Sequence, residues 1–150
     1  MLLVAEMLHV RPNPLWRLVK QAGVDQAVGG LPFHENGPDR PWDLGPMKRM
    51  KQHFEDAGFE LSVIESSPPM EKVRRGLPGR DEEIEQVKVM LRAMGQLGIG
   101  VWCYNFLAIA TWGRTSFTTP TRGGALVSAF RAAAVPADHA PAGMALPPEL

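Results

Sequence analysis

The feature that most constrains this chain is a junction that occurs three times. Ala22-Gly23-Val24, Ala57-Gly58-Phe59 and Leu97-Gly98-Ile99 each set a glycine between a helix-patterned segment and a strand-patterned one, at spacings of 35 and 40 residues. Glycine just past a helix end takes the left-handed conformation at little steric cost. A strand that starts directly after it is the returning half of a βαβ crossover, and parallel strands need such crossovers. The chain is therefore expected to be an α/β protein assembled from repeated βα units. In such folds chemistry gathers at the C-terminal ends of the strands.

The segments between the junctions fit that plan. Met1–His9 reads as a first strand, although it equally suits the start of a helix. Pro14 opens a short helix, Leu15–Ala22, where proline costs nothing in the first turn. Val24–Gly30 is the next strand, and Leu31–Pro41 a loop carrying His34, Glu35 and three prolines. A helix over Trp42–Ala57 and a strand over Phe59–Glu65 follow. Ser66–Gly79, rich in proline and charge, reads as a loop. Asp81 is placed to cap the next helix, with Glu82 and Glu83 in its first turn. Ile84, Val87, Leu91 and Met94 mark its expected buried stripe. Ile99–Phe106 is the last clear strand, and its apolar run suits a parallel strand covered on both faces. The pattern allows at most four strands and three helices. The final 20 residues hold seven alanines and four prolines without period, so 131–150 is expected to be a disordered tail.

Composition closes off several function classes. At 150 residues the chain suffices for one domain with a real core. Lys+Arg and Asp+Glu number 16 each, which points to neither nucleic acid nor a charged membrane surface. No apolar run approaches the roughly 20 residues of a spanning helix, and the N-terminus lacks the marks of a signal peptide. The single cysteine, Cys103, fits a reducing compartment, so cytoplasm is the expected location. Cys103 stands mid-strand and reads as a small buried hydrophobe. No HxH, HExxH, CxxC or GxGxxG spacing occurs, so neither a metal motif nor a dinucleotide fingerprint is present.

Glu65-Ser66 at a strand end, Gly76-Leu77-Pro78 with Arg80-Asp81 before a helix, Cys103-Tyr104-Asn105-Phe106 and Trp112-x-Arg114-Thr115 together carry a resemblance. The chain resembles the metal-dependent mannonate dehydratases with a xylose-isomerase-like barrel, strongly from Phe59 to Thr115 and loosely before that. Thr111 stands where the family usually has aspartate, which suggests a divergent branch. The resemblance implies about the first four βα units of a (β/α)8 TIM barrel over residues 1–130, followed by the tail. It implies a hydro-lyase that converts D-mannonate to 2-keto-3-deoxy-D-gluconate plus water in hexuronate breakdown. It implies a divalent Mn or Fe ion acting as a Lewis acid, with histidine, cysteine and aspartate ligands and the acid/base residues on later strands, outside this sequence. On that reading the chain holds no catalytic or metal-ligating residue and is a truncated piece, inactive alone. Another xylose-isomerase-like sugar isomerase or epimerase, and a catalytically dead half-barrel, remain open beside it.

Five residues are candidates for contact with a sugar acid. Glu65 and Asn105 are polar at strand C-terminal ends, where they either meet substrate or satisfy loop backbone groups. Arg114 offers a planar fork for a carboxylate, or a structural ion pair. Trp112 either walls a sugar pocket or packs in the core. His34 lies beyond a strand end on the same face, with a solvent-exposed loop histidine as the alternative; His9, His53 and His139 have weaker claims. The expected partners are a small-molecule sugar acid and further copies of the chain as a homo-oligomer, since an open half-barrel exposes an edge and a sheet face, with Val63, Val101 and Tyr104 short of neighbours.

Overall fold

The computed structural model describes residues 3–35, 37–107 and 114–135. The chain divides into two compact units, Met1–Phe106 and Leu107–Leu150. In the first, the described elements run β1 (Ala5–Met7), α1 (Pro14–Gln21), β2 (Gln26–Gly29), α2 (Leu44–Asp56), β3 (Glu60–Glu65), α3 (Glu71–Arg75), α4 (Arg80–Gln96) and β4 (Val101–Cys103). The four strands form one sheet in the order β1-β2-β3-β4, every pair parallel. Strands laid down in sequence order and alternating with helices are the arrangement of a (β/α) barrel wall.

The three junctions are built alike. Gly23, Gly58 and Gly98 have φ of 82°, 78° and 71°. In each, the amide three residues past the helix end reaches back five residues: Val24 to Val19, Phe59 to Phe54 and Ile99 to Met94, at 3.3, 2.9 and 2.9 Å. The glycine amide closes the inner bond, as in Gly23 to the Lys20 carbonyl at 2.9 Å. This double closure satisfies carbonyls that a helix end leaves bare and aims the chain into the next strand. The bonded residues also belong to the hydrophobic cluster or, for Val24, pack against it, so the turn that ends each helix begins the core.

That core lies on one side of the sheet. Ala27, Leu61 and Ile64 are buried against Trp16 and Val19 of α1, Met47, Met50 and Phe54 of α2, and Met90, Ala93 and Met94 of α4. Gly29 belongs to this face too, because a Cβ there would meet Leu61 Cδ1 at 3.0 Å and Phe54 Cε2 at 3.3 Å. Phe54 is fully buried and stacks on the Trp16 ring with centroids 4.4 Å apart. A bulge between Ala27 and Val28 lets β3 carry one extra residue, so Leu61 and Ile64, three apart, face the same way. The opposite face is thinly covered: Val28 and Val63 are half-buried, while Met7 and Val101 are exposed.

Several expectations need correction. The segment 66–79 is not loop throughout, because α3 forms within it and closes on Gly76 at φ 65°. Asp81 does not cap α4. Gly79, at φ 85°, is the capping position, so the helix starts at Arg80 and Asp81 falls inside its first turn. The buried stripe of α4 is rotated from the expected one: Glu83, Met90, Ala93 and Met94 are buried, Ile84 and Val87 half-buried, and Leu91 exposed. The last strand covers only Val101–Cys103 and forms one edge of the sheet, so its apolar residues are not covered on both faces. Cys103 is exposed rather than buried. Tyr104 is exposed too, although its ring stacks on Trp102 at 4.5 Å.

The second unit contains an antiparallel hairpin, β5 (Ser116–Pro120) and β6 (Leu126–Ala129), turned through Gly123 and Gly124 at φ 74° and 78°. The described residues therefore hold six strands and four α-helices rather than at most four and three. Among the described residues the hairpin pairs only with itself, so it adds nothing to the parallel alternation that the glycine junctions announce. Ala132–Ala134 form a 3-10 turn, and residues 136–150 of the expected tail lie outside the described residues. No helix among the described residues is long and apolar enough to cross a membrane.

Candidate functional site

Parallel pairing brings the loops that follow β1, β2, β3 and β4 to one edge of the sheet. After β1, Leu8 remains on the ladder through its amide bond to the Val28 carbonyl at 3.0 Å, and His9 comes next. The His9 carbonyl accepts from Trp16 Nε1 at 3.0 Å, which ties this loop to the buried indole of α1. His9 Nδ1 accepts from the Arg11 amide at 3.0 Å, so the proton of the neutral ring sits on Nε2. After β2, the His34 carbonyl accepts from Arg11 Nη2 at 3.5 Å. The His9 and His34 rings stand 6.4 Å apart, centroid to centroid.

His34 is half-buried, and its pKa is held below the ordinary 6.5. Burial is the main cause, followed by the Arg11 cation; Glu35 opposes the shift, and His9 and His53 reinforce it. Glu35 itself is engaged by Arg49 of α2, with Oε2 at 2.6 Å from Nη2 and 3.1 Å from Nε.

Glu65 ends β3, is exposed, and lies opposite Cys103 in the register, so the two side chains share the thinly covered face. Trp102 Nε1 donates to the Ser66 carbonyl at 2.8 Å and binds the loop after β3 to β4. Asn105 follows β4 by two residues and is exposed. Glu65, Asn105 and His34 therefore lie at the same edge of the sheet. Arg114 belongs to the second unit, where its Nε donates to Ser128 Oγ at 3.4 Å. Trp112 and His139 lie outside the described residues. Among the described residues no three of His, Cys, Asp and Glu converge as metal ligands would. Sequence reasoning gave His9 a weaker claim than His34 and passed over Arg11. Their signal was present: His9 follows one strand as His34 follows the next, but a strand over Met1–His9 was itself in question.

The sequence profile of the D-mannonate dehydratase family (UxuA) matches residues 13–143. A mannonate dehydratase from Streptococcus pneumoniae is 42% identical over 108 residues, covering 72% of this chain and 28% of that protein. One from Thermotoga petrophila is 38% identical over 93 residues, covering 62% and 25%. The crystal structure of mannonate dehydratase from Streptococcus suis serotype 2 superposes with a TM-score of 0.78 at 28% identity, covering 95% of this chain and 40% of that one. This chain thus spans between about a quarter and two fifths of the length of these relatives. A profile match over most of the chain and a shared parallel sheet lead to one conclusion: the chain belongs to the mannonate dehydratase family.

Proposed function

We propose that this chain supplies the first four βα units, residues 1–130, of a mannonate dehydratase. That enzyme is a hydro-lyase taking D-mannonate to 2-keto-3-deoxy-D-gluconate and water, in hexuronate breakdown in the cytoplasm. The observation that carries the proposal is the family match over residues 13–143, which spans the strand ends bearing Glu65 and Asn105. In this reading Glu65, Asn105 and His34 meet the sugar acid at the edge of the sheet, and Trp112 and Arg114 are candidate contacts by family resemblance alone. Their work is binding and orientation, which converts remote contact energy into alignment of the reacting carbons. The family resemblance implies a Mn or Fe ion. The described residues do not converge to hold one, so they receive no ligand role. Removal of the proton beside the carboxylate is likewise assigned to no residue here. The ligand is a small sugar acid, with no role for nucleic acid or membrane.

The test compares the 150-residue chain with a fusion in which the remainder of the Streptococcus pneumoniae relative follows Phe130. Each is incubated with D-mannonate and Mn2+, and the keto-deoxy acid is measured by mass spectrometry. The chain alone is expected to form none and the fusion to form it. Asn105→Ala and Arg114→Ala in the fusion should each lower turnover with circular dichroism unchanged. A folded fusion that never forms the keto-deoxy acid overturns the proposal.

A further inference from the structure

We propose that His9, Arg11 and His34 form an anion subsite at the C-terminal edge of β1 and β2 that takes the carboxylate of the small organic acid this protein binds. The proposal rests on the sugar-acid reading above only for the identity of that acid. His9 and Arg11 precede residues 13–143, which the family profile matches, and His34 lies within them.

Three observations converge. The first is donor supply without a matching acceptor. Arg11 is exposed, and among the described residues its guanidinium hydrogen-bonds to a backbone carbonyl, that of His34. The carboxylate next to His34 in the chain, Glu35, is already held by two nitrogens of Arg49. Among the described residues no carboxylate lies within ion-pair distance of Arg11, so its fork is left for a planar anion. The second is orientation. The Arg11 amide occupies His9 Nδ1, which leaves Nε2–H as the donor that ring presents. Trp16 Nε1, from a buried ring, fixes the His9 backbone, so the donor sits on an anchored loop. The third is electrostatic. His34 faces Arg11, His9 and His53, with Glu35 the opposing charge, and its imidazolium is disfavoured for that reason as well as by burial. A bound carboxylate would offset both effects, so anion binding and protonation of His34 should reinforce one another.

The experiment follows the Cε1–H resonances of the four histidines by NMR in the full 150-residue chain, assigned through single His→Gln variants. The pH is varied with no ligand, with D-mannonate, with sodium acetate and with D-mannose. D-mannonate and acetate should raise the titration midpoint of His34 and shift the His9 Cε1–H resonance, while D-mannose, which lacks the carboxylate, should do neither. Arg11→Gln should weaken the effect about tenfold or more, the factor expected from one lost charge-assisted hydrogen bond. Arg11→Lys should weaken it less. Arg17→Gln, on the exposed side of α1, should bind as the parent does. An acetate response without a mannonate response keeps the subsite and removes the mannonate reading. Equal responses to D-mannose and D-mannonate, no response to either acid, or full binding by a folded Arg11→Gln variant overturns the proposal.

Discussion

Glu83 offers a sharp test of how the loop above β3 is held. Its carboxylate is 7% exposed and accepts from the Val73 amide at 3.0 Å, bridging ten residues from α4 to α3. It also sits in the first turn of α4, where a negative charge meets the helix dipole. A hydrogen bond to a charged group is worth about 1.5–3 kcal/mol. Val73 is half-buried, so water reaches its freed amide in part, and the lower end applies. With ~0.5 kcal/mol from the dipole, Glu83→Ala should cost about 2 kcal/mol. Glu83→Gln keeps an acceptor and loses the charge, so about 1 kcal/mol is expected. The check is urea unfolding of the three proteins together with amide hydrogen exchange. Val73 and its neighbours in α3 should exchange roughly thirty-fold faster in the alanine variant, the factor equivalent to 2 kcal/mol. If glutamine destabilises as much as alanine, or if Val73 exchange does not change, then the bond does not hold α3 and the reasoning fails.

The legible parts of the fold were those that backbone chemistry writes locally. Gly23, Gly58 and Gly98 announce three helix ends, and the strands that follow pair in parallel as that pattern requires. Less legible were features decided by tertiary contact. The segment Glu71–Arg75 carries four charges in five residues and no apolar period, and it is helical because Glu83 and the Gly76 turn close both of its ends. Leu91 looks like core by spacing, yet α4 turns the face of Met90 and Ala93 inward, so a leucine is exposed while a glutamate is buried. At the site, the edge carrying Glu65, His34 and Asn105 followed from strand direction alone. The proximity of His9 to His34 did not, because it depends on the pairing of β1 with β2, and the first strand's signal was weak.

Three further outcomes follow from the packing. Gly29→Ala should destabilise the protein by about 1–3 kcal/mol in thermal melts, since the added methyl would press on Leu61 and on a Phe54 ring already stacked against Trp16; an unchanged melt would show that the sheet and α2 can part without cost. His34 titrates below 6.5 when folded, so the unfolded chain binds its proton more tightly. Stability from this group is present above that value and is lost as pH falls through the folded value; His34→Gln should flatten that part of the urea midpoint against pH, and an identical profile would refute the linkage. The last outcome concerns the thinly covered face of the sheet. Val101 is 53% exposed on edge strand β4, paired in register with half-buried Val63, and Met7 at the other edge is exposed as well. Edge strands with apolar side chains recruit other chains, because their free amides and carbonyls and their dry surface are satisfied together. Sedimentation at micromolar concentrations should therefore show self-association of the 150-residue chain. Covering the exposed half of this valine contributes about 0.8–1.5 kcal/mol, so Val101→Lys, which also adds charge to the edge, should weaken association by about tenfold. The same substitution should leave unfolding almost unchanged, because the side chain already stands half in water. A chain that sediments as a monomer, or a lysine variant that associates as strongly as the parent, would show that this face and edge are not what draws copies together.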